Sequence, residues 1–183
     1  MRPELPAPDG APIRVCFVCT GNICRSPSAE VVLRTRLAEA GWVDEVIVDS
    51  AGTGPWHAGK DMDPRAREAL VRHGYRPPRH VAKQFQPADF ADRDLVIALD
   101  AGHVARLAQL ARLADDPADA AASISLLRSH DPAAVAAGEL DVPDPYYDGE
   151  AEFGTALAQI EAACAGLAEL LNQQISGAGS RSK

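Results

Sequence analysis

The stretch CTGNICRSPSAE sets Cys19 six residues before Arg25 and runs straight into helix-like sequence. A thiol attacks as its thiolate, and both a helix N-terminus and a neighbouring cation favour that form. A loop that leaves a strand for a helix also offers free backbone N–H groups, which suit an oxyanion such as phosphate. Gly21 and Asn22 are residue types that accept the left-handed backbone such a cradle needs. Ser26 suits a helix cap, and Pro27 suits the first helical position, where it costs no hydrogen bond. The loop has no lysine and lacks the GxxxxGK[ST] pattern, which argues against a magnesium-nucleotide site. Arg25 can instead fold over the loop mouth and hold two phosphoryl oxygens bidentately, leaving Cys19 behind phosphorus for in-line attack.

Expulsion of a poor leaving group needs a proton donor. DVPDPYYDG (141–149) supplies Asp144 in a turn-forming Asp-Pro context, followed by Tyr146 and Tyr147. Asp144 is the candidate acid, and by the same logic the base that would activate water against a phosphocysteine.

The elements that must position these groups follow from periodicity. IRVCFVC (13–19) reads as a strand, and the spacing of Ala29, Val32, Leu33 and Leu37, closed by Gly41, as a helix. VDEVIVDSAGT (43–53) gives a second strand, and DPRAREALVRHG (63–74) a helix opened by proline and closed by glycine. RDLVIALD (93–100) is the apolar run of a strand buried on both faces, with a helix over 101–114. SISLLRS (123–129) is a fourth strand. Phe153, Leu157, Ile160, Cys164, Leu167 and Leu171 mark a long final helix. Alternating strands and helices predict an α/β fold, a small flavodoxin-like three-layer sandwich with a four-stranded parallel sheet and its ligand site beyond the strands' carboxyl ends.

At 183 residues and 46% hydrophobic, the chain fits one domain. Its net charge of -8 argues against a broad nucleic-acid or anionic-membrane footprint. Residues 1–12, proline-rich and without an apolar signal core, read as a disordered lead-in; 13–175 as the domain; 176–183 as a flexible tail. The expected location is the cytoplasm. Cys16 and Cys19 form a C-x-x-C pair, but residues three apart on a strand face opposite sides, and no histidine or second pair completes a zinc site. No metal or cofactor is expected. Cys24 lies near enough in a small loop to reach Cys19, a route to a reversible protective disulfide. Cys164 reads as core. His57, His73, His80, His103 and His130 are scattered, each with a solvated or capping role by default.

VCFVCTGNICRSPSAE, DSAGT, DPRA and DPYYDG, in this order, resemble the low-molecular-weight protein tyrosine phosphatases over about residues 13–171. The resemblance implies Cys19 as nucleophile, Arg25 as phosphate clamp and Asp144 as general acid. It makes Asn22 and Ser26 loop-shaping or thiolate-stabilising groups, with Thr20, Gly21, Ile23 and Cys24 completing the substrate loop. Tyr146 and Tyr147 would form one wall of the crevice, and Trp56 with His57 the other. Ile23 matches the tyrosine-directed members, whereas similar phosphoarginine phosphatases carry threonine there. The implied partners are phosphotyrosyl proteins, met by a monomer or weak dimer. Residues 112–143 depart from the family pattern, being longer and alanine-rich. Arsenate reduction on the same fold would need further redox cysteines, and the one distal cysteine is Cys164. A non-catalytic phosphotyrosine-binding module would be marked by loss of Cys19 or Asp144, and both are present.

Overall fold

The computed structural model describes residues 11–179, so most of the expected lead-in and the end of the expected tail lie outside the described residues. Four parallel strands, β1 (Ile13–Cys19), β2 (Val46–Gly52), β3 (Leu95–Ala98) and β4 (Ile124–Leu126), stand in the order β2-β1-β3-β4. Between and after them run α1 (Arg25–Ala40), α2 (Pro64–Arg72), α3 (Ala101–Ala111), α4 (Pro117–Ala122), α5 (Pro132–Ala137) and α6 (Glu150–Gly179). The architecture is the expected flavodoxin-like α/β sandwich.

Strand β1 is central because it is apolar on both faces. Ile13, Val15, Phe17 and Cys19 pack in a core shared with α1 and α6, while Cys16 and Val18 face a second core with Val96, Ala98, Phe85 and Leu107. Cys16 is therefore turned away from Cys19, as the strand period predicts. The whole predicted stripe of α6, Phe153 to Leu171, is buried, Cys164 included. Each such large apolar side chain contributes roughly 1.5–3 kcal/mol, enough to seat the long helix without specific polar contacts.

Several expected boundaries shift. Only Ile124–Leu126 of the fourth strand pairs, because Leu127–His130 winds into a 3-10 turn leading to the Asp131-Pro132 start of α5. Strands β2 and β3 are shorter at both ends than predicted, and the helix expected over 101–114 stops at Ala111. Helix α6 runs through Gly179, into the stretch expected to be a flexible tail. Helix α1 is capped by Cys24 rather than Ser26, whose hydroxyl turns inward. Pro27 is thus the third helical residue, still among the N–H positions that have no helical partner to lose.

The alanine-rich segment before Asp144 folds compactly. Asp116 and Asp131 each cap a short helix whose first residue is proline. Arg128 Nη1 donates to Asp141 O at 2.9 Å, and the Val142 N–H donates to Leu99 O at 2.8 Å, which fastens the approach to Asp144 against the sheet.

Strand β1 sends its chain to α1 on one face, and its neighbour β3 sends its own to α3 on the other. A crevice opens where the two connections part, and Cys19 ends β1 at that point.

Candidate active site

The loop from Cys19 to Arg25 is held from outside by its carbonyls. Cys19 O accepts from the Thr53 N–H at 2.8 Å, Thr20 O from Gly54 at 3.1 Å, and Ile23 O from Asp63 at 2.8 Å. Asn22 O lies 2.7 Å from His80 Nε2, which donates to it. The amide N–H groups from Thr20 to Cys24, by contrast, have no protein partner among the described residues. Carbonyls out and amides unspent make a nest of partial positive charge at the start of α1.

Asn22 alone takes the left-handed backbone, at φ +56°; Gly21 does not share it as expected. Gly21 is needed for space, since a Cβ there would lie 2.6 Å from His57 Cδ2. Gly52, which ends β2, likewise presses on the loop: its Cβ would meet Thr20 O at 2.8 Å. Behind the loop, Asn22 Nδ2 donates to Ser26 Oγ at 2.9 Å and Ser50 Oγ at 2.8 Å, while Asn22 Oδ1 accepts from the Lys83 N–H. Ser50 passes its own proton to Glu30 at 2.6 Å. Ser26 Oγ, already an acceptor from Asn22, has one proton left; Cys19 Sγ at 3.0 Å is nearer to it than Ala51 O at 3.2 Å.

Arg25 is 3% exposed, and its donors can be counted. Nη1 uses both hydrogens, on Asp100 Oδ2 at 2.7 Å and Val142 O at 3.0 Å. Nη2 gives one to Asp144 Oδ2 at 2.8 Å. Among the described residues the Nε–H and the second Nη2–H have no partner, and they form the edge with which a guanidinium binds an oxyanion bidentately.

A cavity of about 500 Å³ opens above this loop. Its floor is formed by residues 19–21 and 23–25, with Asp144, Tyr146 and Tyr147 on one wall and Trp56 and His57 on the other. The structure therefore brings together Cys19, Thr20, Gly21, Ile23, Cys24, Arg25, Trp56, Asp144, Tyr146 and Tyr147. Asn22 and Ser26, expected among the substrate contacts, do not line it: both are fully buried and act on the loop from behind. Tyr147 is 90% exposed and meets Tyr146 edge-on at 5.0 Å. Arg65, paired with Asp63, stacks 5.5 Å over the Tyr146 ring and donates to Tyr146 O at 3.1 Å, bracing that wall from α2.

The electrostatics separate the groups. Burial raises Asp100, but hydrogen bonds from His103 and Arg25 outweigh it and hold the carboxyl well below the usual carboxylate range. Burial, then the charges of Asp63 and Cys19, push the Cys24 thiol far up, so it stays protonated beside the loop. All four cysteines are free thiols.

The default solvated role fails for four histidines. His57 forms a wall and His80 anchors Asn22, while His103 and His130 are buried. His73 stays nearer the surface, 3.1 Å from Glu161. Loop carbonyls and half-apolar crevices both suit a ring with one apolar face and one polar edge. Asp100 and His103, which local sequence did not single out, stand at the carboxyl end of β3. That β3 adjoins β1 is the signal that would have found them.

Fold and loop together define an α/β protein with an oxyanion cradle built around a cysteine. Comparison with known proteins gives the family. The family model described as low molecular weight phosphotyrosine protein phosphatase matches residues 14–177. A low molecular weight protein-tyrosine-phosphatase of Streptomyces coelicolor is 53% identical over 164 residues, 90% of this chain and 96% of that protein. Low molecular weight protein-tyrosine phosphatase A of Mycobacterium tuberculosis is 42% identical over 168 residues, 92% of this chain and 97% of the relative. The crystal structure of an Entamoeba histolytica protein tyrosine phosphatase with Hepes in its active site superposes at a TM-score of 0.79. It is 29% identical and covers 90% of this chain and 98% of that one. The chain belongs to the low molecular weight phosphotyrosine protein phosphatase family, and is a hydrolase of that class.

Proposed function

We propose that the protein hydrolyses phosphotyrosine through a phosphocysteine on Cys19. The observation that carries this is the loop itself: five consecutive amides with no protein partner among the described residues, ending at Arg25 with two donors unspent, and a thiol at the loop's start. The Cys19 thiolate attacks phosphorus as the bond to the phenolic oxygen breaks, and Asp144 gives that oxygen its proton. Charge on the equatorial oxygens is met by the loop amides and Arg25, already oriented before substrate arrives. Water then attacks the phosphocysteine, Asp144 takes its proton, and phosphate leaves with the thiolate restored. Ser26, with one proton to give, supports the sulfur anion at 3.0 Å. The tyrosine and tryptophan side chains that line the cavity favour an aromatic phosphate ester over phosphoserine.

The substrates in this reading are phosphotyrosyl proteins of the cytoplasm, where the four free thiols stay reduced. No described helix is long and apolar enough to cross a membrane. The test is phosphate release from a phosphotyrosyl peptide and its phosphoseryl twin, in EDTA with reductant, with Cys19→Ser as blank. Turnover of the phosphotyrosyl peptide alone, lost in the blank, is expected. Turnover surviving in Cys19→Ser would sink the mechanism.

A further inference from the structure

We propose that His103 is a positioning residue: it ties the loop at Thr20 to the carboxylate that aims Arg25, and so tunes the site toward the transition-state shape of the phosphoryl group. The inference rests on the proposed role of Arg25 as oxyanion clamp.

His103 lies in the first turn of α3 and is 4% exposed. Its Nε2 is 2.9 Å from Thr20 Oγ1, the side chain next to the nucleophile. Its Nδ1 is 3.0 Å from Asp100 Oδ1, a close contact bent away from ideal hydrogen-bond alignment, and has no hydrogen-bond partner among the described residues. Asp100 Oδ1 also accepts the His103 backbone N–H at 2.9 Å, and Asp100 Oδ2 accepts from Arg25 Nη1 at 2.7 Å. Thr20, His103, Asp100 and Arg25 thus form a chain of close polar contacts that joins two residues of the cavity floor, Thr20 and Arg25.

The protons along this line are constrained. In the neutral ring, the tautomer that places the hydrogen on Nδ1 toward the Asp100 carboxylate leaves Nε2 to accept the Thr20 hydroxyl proton. The imidazole is a rigid spacer that serves both neighbours at once. Asp100 Oδ1 is held by the His103 backbone N–H and packed against the ring's Nδ1, which together limit the direction of Oδ2. Oδ2 and Val142 O hold Arg25 Nη1 on both hydrogens, and that hold turns the Nε/Nη2 edge to the phosphate. Removal of the ring leaves Thr20 Oγ1 without its partner and lets the Asp100 carboxylate rotate. Val142 O still grips Arg25, so the clamp loosens and is not lost.

A loosened clamp costs most where geometry is most demanding. Ground-state phosphate is tetrahedral, whereas the transferring group is trigonal bipyramidal and presents equatorial oxygens in one plane, a shape that vanadate adopts. The experiment measures binding of inorganic phosphate and vanadate by calorimetry, with melting curves, to the full-length protein and to His103→Phe, His103→Gln and Thr20→Val. His103→Phe is expected to weaken vanadate by roughly tenfold, less than the about 10²-fold or more that loss of a donor touching the oxyanion costs, and phosphate by only about two- to threefold. His103→Gln, whose amide reaches one partner but not both, falls between. Thr20→Val combined with His103→Phe is expected to cost less than the two single losses multiplied, because both break the same link.

Vanadate and phosphate weakened equally, or neither weakened, would overturn the proposal, as would full multiplicativity of the double variant. If His103→Phe does not fold, His103→Gln and Thr20→Val carry the same comparison. The readout is binding, so it stands apart from the turnover test: wild-type protein that binds both anions but releases no phosphate from the phosphotyrosyl peptide defeats the proposed function alone.

Discussion

Cys16 and Cys19 sit three residues apart on one strand, 1% and 3% exposed, in different surroundings. Cys16 faces the core under α3. Burial pushes its thiol well up, and the negative charge of Asp49 adds to that, so the sulfur keeps its proton. Cys19 ends the strand on the other face, at the floor of the cavity, with the Ser26 hydroxyl at 3.0 Å and unspent amides just beyond. Near-complete burial is common to both. What separates them is the sign of the nearest dipoles and charges, which the pleat decides by sending alternate residues to opposite faces.

The hardest test of that contrast is to remove each sulfur's nucleophilicity in turn. Cys19→Ser is expected to lower phosphotyrosyl turnover by at least roughly 10³-fold, as loss of a covalent nucleophile does, while phosphate still binds through the amides and Arg25. Cys16→Ala is expected to leave kcat and KM unchanged. Steady-state kinetics alongside calorimetric phosphate titration check both, and a Cys16→Ala enzyme that is inactive yet folded would erase the distinction.

The next effect in size concerns Asp144. Its Oδ2 is held by Arg25, and its Oδ1 accepts the Tyr146 N–H at 3.2 Å, an Asp-Pro turn in place of the helix start that the same dipeptide makes at Asp63, Asp116 and Asp131. A turn rather than a cap leaves the carboxyl at the cavity wall, where a leaving oxygen would stand. Asp144→Asn should slow hydrolysis of phenyl phosphate by about 10²-fold or more, the usual worth of a general acid. Nitrophenyl phosphate, whose leaving group needs no proton, should slow by far less. Equal losses for the two esters would remove Asp144 from the acid role.

Much of this site was legible because it is local. The strand IRVCFVC, the loop after it and the first turn of α1 are contiguous, so composition and spacing already place Cys19 against Arg25. Asp144 was legible through its Asp-Pro turn. The groups that escaped notice reach the loop through topology: His80 from the segment after α2, Asp100 and His103 from the end of β3. Nothing near His103 in sequence marks it, because its partner Thr20 is 83 residues away and becomes a neighbour only through pairing of β1 with β3. Ser26 fits the loop-shaping role that the family resemblance implies but not the helix-cap role that its residue type suggests, for a related reason. Its local preference is to cap a helix, but Cys19, Asn22 and Ala51 compete for its hydroxyl and win.

The smallest expected effect lies in the alkaline stability of the fold, and it sharpens the contrast between the two strand cysteines from the side of Cys16. Burial pushes Cys164 up to about 12 and holds Cys16 and Cys24 above the ordinary thiol range as well. An unfolded cysteine loses its proton near pH 8.5. Above that point the unfolded chain releases protons that the folded chain retains, so stability is whole below about pH 8.5 and declines as pH rises toward the folded-state values. Each such thiol steepens the fall by up to about 1.4 kcal/mol per pH unit. Cys16→Ala and Cys164→Ala should each flatten the slope of unfolding free energy against pH between about 8.5 and 10, whatever their cost at neutral pH. Denaturant titrations across that range measure it, and slopes identical to the parent protein would mean that these sulfurs ionise in the folded state as freely as in the unfolded one.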